Sequence, residues 1–155
     1  APARAAVAPA GVFRRVLLAV DGSEGALRAL QHVIAMRKEL RDPAALALHV
    51  LNVQRPVSGD VASFVATKSL DEYHQERGEQ ALAPARALLD ADGLSYDAQQ
   101  RVGLPGPTIA EVAQTLGCDL IVMGTRGLGT YTGALLGSVA QSAIEHSSVP
   151  VLLVK

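Results

Sequence analysis

The stretch Asp119-Leu120-Ile121-Val122-Met123-Gly124-Thr125-Arg126-Gly127, running on to Gly137-Ser138-Val139, decides the fold. Asp119 to Met123 is a short apolar run, the mark of a strand buried on both faces. It feeds a glycine-rich loop, and from Ser138 the residues Val139, Ala140, Ala143 and Ile144 recur at helical spacing. Glycines at 124, 127, 129, 133 and 137 permit positive φ and remove Cβ atoms where a ligand must approach. Unpaired amides in the first turn of the following helix, with its dipole, offer a place for an anion such as phosphate. A mobile surface loop would also be rich in glycine, but the position between strand and helix favours binding.

Spacing excludes two familiar phosphate motifs. The P-loop needs a lysine followed by Ser or Thr after its last glycine, whereas Gly137 precedes Ser138-Val139 and the loop holds no lysine. The dinucleotide fingerprint needs two residues between its second and third glycines, and Gly129 and Gly133 have three between them. Phosphate bound here would be held by backbone amides, Arg126 and Ser138.

Gly124-x2-Gly127-x9-Gly137-Ser138, set in Val-Met-Gly-Thr-Arg-Gly and Leu-Leu-Gly-Ser-Val, resembles the universal stress protein family in its ATP-binding form. The resemblance takes in Val16 to Ser23 (Val-Leu-Leu-Ala-Val-Asp-Gly-Ser) and Pro150 to Val154, so it covers nearly everything from Val16 onward. It implies an adenine nucleotide alpha-hydrolase-like fold with strand order 3-2-1-4-5, and ATP as ligand with Mg²⁺ on its phosphates. By the same likeness Asp21 matches the acid at the adenine site, Val50 offers main-chain contacts to adenine, and the protein pairs as a homodimer through its last strand. The site residues expected are Ala19, Val20, Asp21, Val50, Met123, Gly124, Arg126, Gly127, Gly137, Ser138 and Val139.

Outward from that stretch the chain alternates strand and helix. Val16–Val20 is a buried strand, Ser23 an N-cap, and Ala26, Leu27, Leu30, Val33 and Ile34 mark a helix that stops before Asp42-Pro43. Leu46–Val53 is a second strand, and Gln54 to about Ser69 a long polar segment with a helical turn around 61–68. A third helical stretch from Leu70 to Leu88 is expected to be weakened at Gly78, kinked at Pro84 and closed by Gly93. Leu94–Val102 reads as an edge strand. Ile109, Val112, Ala113 and Leu116 make a helix face ended by Gly117, and Val149–Val154 is the last strand. Five strands and four main helices read as a single doubly wound α/β domain with a parallel sheet, over 13–155. Residues 1–12 read as a disordered or non-native tail.

The chain of 155 residues carries a net charge of −1 with both signs interspersed, so it has no broad electrostatic footprint for nucleic acid. No apolar run reaches the ~18–20 residues of a membrane span, and the single cysteine, Cys118, suits a reducing compartment; a cytoplasmic protein is expected. Cys118 opens an apolar strand and reads as an inert buried thiol. No two of His32, His49, His74 and His146 share a metal-ligand spacing, and His49 reads as a hydrogen-bonded core residue. No general base stands near the expected phosphate site, so a regulatory nucleotide binder with slow hydrolysis at most is expected. The rival readings are a module of the same fold that takes no nucleotide, and an AMP or cyclic AMP binder.

Overall fold

The computed structural model describes residues 13–57, 69–127 and 136–155. In chain order its elements are β1 (Arg15–Ala19), α1 (Glu24–Lys38), a 3₁₀ turn (Pro43–Ala45), β2 (Ala47–Gln54), α2 (Leu70–Asp92), β3 (Asp97–Val102), α3 (Pro105–Thr115), β4 (Leu120–Gly124), α4 (Ser138–His146) and β5 (Val151–Val154). The sheet is parallel throughout, in the order β3-β2-β1-β4-β5. This is the expected doubly wound topology. The helical turn expected around 61–68 and the tail 1–12 lie outside the described residues.

Alternation along the strands divides the core in two. Val16, Leu18 and Val20 of the first strand segment face α1 and α2, packing with Leu30, Val33, Leu82 and Leu89. Leu17 and Ile121 face the other way, against Ile109, Val112 and Ala143 of α3 and α4. Because both faces are covered, the central strands are apolar at successive positions rather than at alternate ones.

The amino ends of the strands are tied by polar side chains. Asp119 accepts from the amides of Arg14 at 2.9 Å and Arg15 at 3.1 Å, fixing the start of β1 beside β4. Arg37, 1% exposed, donates to the carbonyls of Pro43 at 3.0 Å and Ser95 at 2.9 Å. That last bond explains why β3 starts at Asp97 and not at Leu94: the Ser95 carbonyl goes to a guanidinium instead of a strand ladder.

α2, expected to be interrupted, is one helix from Leu70 to Asp92. Pro84 removes one N–H from its ladder, but Leu82, Ala85 and Leu89 are buried around it and hold the turn in place. Gly78 is there for space, since a Cβ would collide with the side chain of Gln100 on β3. Gly93 closes the helix with φ 76° and donates to the Leu89 carbonyl at 3.0 Å. Among the described residues, no helix is long and apolar enough to cross a membrane.

Candidate functional site

In this strand order the connections from β1 and β4 leave on opposite faces, opening a crevice at their carboxyl ends. On the β1 side, the Val20 amide donates to Leu51 at 2.9 Å, so the chain follows β2 for one residue past the strand. Buried Asn52 donates its Nδ2 to the Val20 carbonyl at 2.8 Å, and Gln54 in turn donates to Asn52 Oδ1 at 2.7 Å. Both sides of the Val20 peptide are thus fixed just before Asp21. Gly22 then turns the chain with φ 86°, where an L side chain would be strained. Ser23 caps α1 by accepting from Ala26 at 3.2 Å, as its position in the sequence implies.

Asp21 Oδ1 accepts from the Ser23 amide at 2.9 Å, so the acid does organise the helix start. Its other oxygen, Oδ2, faces the glycine loop: a Cβ on Gly127 would run into it. The two oxygens of one carboxylate thus meet different elements, the helix start and the glycine loop.

On the β4 side the loop lies directly on the first turn of α1. A Cβ on Gly124 would sit 2.9 Å from the carbonyl carbon of Gly25, and one on Gly25 would sit 2.8 Å from the Arg126 carbonyl oxygen. The far end of the loop returns to the same place, where Gly137 donates its amide to Thr125 at 2.6 Å. Thr125 itself donates to Val154 at 3.1 Å, anchoring the loop to β5. Positive φ is expected of these glycines but is not used: among described residues only Gly22, Gly93 and Gly117 adopt it. What Gly124, Gly127 and Gly137 supply is the missing Cβ. Gly129, Thr130 and Gly133 lie outside the described residues.

α4 starts at Ser138 behind Gly137, which has no side chain with which to cap it. α1 and α2, by contrast, are capped by Ser23 and Ser69. No capping side chain accepts from the first-turn amides of α4, and the turn opens on the crevice.

These walls enclose a cavity of about 1070 Å³. Ala19, Val20 and Asp21 border it from β1, Met123, Gly124, Arg126 and Gly127 from β4, and Gly137, Ser138 and Val139 from α4. Val50 does not border it: with 1% exposure its side chain is in the core between the sheet and α1, and the cavity begins one residue later at Leu51. Sequence reasoning missed Gly25, Asn52, Arg55, Tyr73 and Arg77. Gly25 carried a usable signal, since glycine is a poor choice inside a helix unless a backbone must come close. Arg55, Tyr73 and Arg77 carried none, because only the fold brings the end of β2 and the start of α2 over the crevice.

His49 departs from expectation. It is buried, but among the described residues neither ring nitrogen is hydrogen-bonded, and Asp97 stands at 3.6 Å. Burial holds its pKa below the usual value; Asp97 pulls it up and Arg15 pushes it down. Cys118 is buried as expected, and desolvation raises its thiol to about 11.

Fold and site together define a doubly wound α/β domain with a cleft where the strand order reverses. Residues 13–155 match the model of the universal stress protein family, and the chain belongs to that family. Universal stress protein MJ0531 of Methanocaldococcus jannaschii is 33% identical over 93% of this chain and 83% of its own length. The structure of the hypothetical protein MJ0577 superposes with a TM-score of 0.76 at 29% identity, covering 92% of this chain and 96% of that one. A universal stress protein solved in complex with cAMP superposes at 0.66 with 25% identity, over 92% and 97% of the two chains.

Proposed function

We propose that this universal stress protein binds ATP in the cavity between β1 and β4 and acts as a regulatory module whose surface changes with occupancy. The observation that carries the reading is one juxtaposition. A carboxylate from the end of β1 faces a glycine loop that leads to an uncapped helix start, with Arg126 at the same mouth. A carboxylate accepts from ribose hydroxyls or an adenine amine. Helix-start amides, a hydroxyl at Ser138 and a guanidinium suit phosphate oxygens.

The residues present fit the nucleotide. Gly127 and Gly124 leave the space a Cβ would fill, and Met123 with Val139 supplies an apolar wall. Val50 remains in this reading only through its backbone, one step behind the wall. Mg²⁺ would neutralise the phosphates alongside Arg126. Asp21 is the sole carboxylate among the described lining residues, and no histidine lines the cavity among them. With Asp21 already bound to the Ser23 amide, the reading assigns no catalytic residue and only slow hydrolysis. The edge strand β5, half-buried along its length, would pair two copies into a homodimer. A second reading, AMP or cyclic AMP as the preferred ligand, draws support from the neighbour solved with cAMP.

Calorimetry with ATP, ADP, AMP and cyclic AMP tests this, together with mass spectrometry of any small molecule released on denaturing the purified protein. Binding of ATP tighter than the others is expected. If none binds more tightly than about 1 mM, the nucleotide reading falls, and a monomer mass in sedimentation would remove the dimer.

A further inference from the structure

The cavity has a second basic wall that the ATP reading leaves unused. Its described charged lining residues are Asp21, Arg55, Arg77 and Arg126, three cations against one acid, in a chain whose net charge is −1. Arg126 is at the β4 mouth, beside the helix-start amides. Arg55 follows the end of β2, on the other side of β1 from β4, and Arg77 is in the first part of α2.

The geometry of α2 sets the second wall. A Cβ on Gly22 would come within 3.4 Å of Ala81, so α2 crosses the chain directly after Asp21. Arg77, one turn earlier, stands about 6 Å further along the helix towards its outer end. Its guanidinium is 6.0 Å from the centre of the Tyr73 ring, which steadies it. Among the described residues neither Arg55 nor Arg77 forms an ion pair, and Asp71 and Glu72 on the same helix do not border the cavity. The cavity, at about 1070 Å³, exceeds the roughly 300–1,000 Å³ of sites that enclose a drug-sized ligand.

A ligand that fits this order of charges carries an anion at one end, hydroxyl or amine donors at Asp21, and a second anion beyond them. We infer that the site prefers a nucleotide bearing a second phosphate on its ribose, held by Arg55 and Arg77. The inference rests on the nucleotide reading above and deepens it, giving α2 the task of selecting the ligand.

Calorimetry with AMP, adenosine 2′,5′-bisphosphate and adenosine 3′,5′-bisphosphate tests it on the full chain. All three share the 5′-phosphate, and the two bisphosphates separate the possible positions of the second. At least one bisphosphate should bind the parent about tenfold or more tighter than AMP, the gain from a charge-assisted contact. Arg55→Gln with Arg77→Gln should remove that advantage and leave AMP affinity close to the parent's. Both substitutions fall at exposed positions, and a thermal melt verifies folding. If ATP, titrated alongside, binds but neither bisphosphate is tighter than AMP, or the advantage survives both substitutions, this inference fails and the ATP reading stands. If no nucleotide binds at all, both fail.

Discussion

Gly25→Ala probes whether backbone contact seats the phosphate loop. The added Cβ would sit 2.8 Å from the Arg126 carbonyl oxygen, about 0.6 Å short of the 3.4 Å at which ordinary contact begins. The obstacle is main chain, so no side chain can rotate away. Retreat is resisted by the Gly137–Thr125 bond at 2.6 Å and the Thr125–Val154 bond at 3.1 Å. Overpacking of this kind costs about 1–3 kcal/mol, and the better helix propensity of alanine returns at most about 1 kcal/mol. With the full return the net loss is up to about 2 kcal/mol, which lowers Tm by up to about 8 °C in a domain of this size. Moving Arg126 should also weaken a charge-assisted phosphate contact, raising the Kd for ATP about tenfold. Gly93→Ala is the control: φ there is 76° with open space around the Cβ, so it should lower Tm through backbone strain and leave ATP affinity unchanged. Differential scanning calorimetry and titration calorimetry read the two effects. Should Gly25→Ala melt at or above the parent and bind ATP equally well, the loop is not seated in this way.

Three further outcomes are expected. Gly106→Ala drives a Cβ onto the Ser142 side chain and to 2.9 Å from its carbonyl carbon. It should cost about 1–3 kcal/mol in urea unfolding, restored in part by adding Ser142→Gly but not by Ser142→Ala, which keeps the obstructing Cβ. Arg37→Met strips the donors from the Pro43 and Ser95 carbonyls. A loss of about 2–4 kcal/mol is expected, and a neutral result in the same assay would remove Arg37 as the tie between α1 and β3. The folded-state pKa of His49 lies below the usual histidine value of 6.5, chiefly from burial. Above that value both states are neutral there; on acidification the unfolded chain binds the proton first, so stability falls as pH drops below about 6.5 until the folded pKa is passed. His49→Leu should flatten this part of the stability–pH curve, and an unchanged slope would contradict the assignment.

The alternation of strand and helix and the two loops at the crevice were legible because they depend on local pattern: apolar runs, a Ser cap after Asp21-Gly22, and glycines closing α2 and α3; the strand order came only with the family resemblance. Boundaries failed where tertiary contact intervened, as at Leu94–Tyr96, where Arg37 takes the Ser95 carbonyl. Pro84 and Gly78 signalled a weak helix, yet burial of Leu82, Ala85 and Leu89 and the fit of Gly78 to Gln100 outweighed propensity. At the site, ten of the eleven expected residues border the cavity, because they lie on the two loops that sequence pattern locates. Arg55, Tyr73 and Arg77 were invisible for the opposite reason: their relation to Asp21 exists only once α2 crosses Gly22.

Buried Gly78 divides α2 by duty. Downstream of it, Ala85 and Leu89 are locked in the core; upstream, Leu70 to Arg77 is solvent-facing apart from half-buried Tyr73 and His74. With no proton at Pro84 to bond the Gln80 carbonyl, the ladder lacks one bond just beyond that point. The outer turns, which bury less side chain than the inner ones, should therefore fray first. In hydrogen exchange, amides before residue 80 should trade with solvent far sooner than those after residue 85.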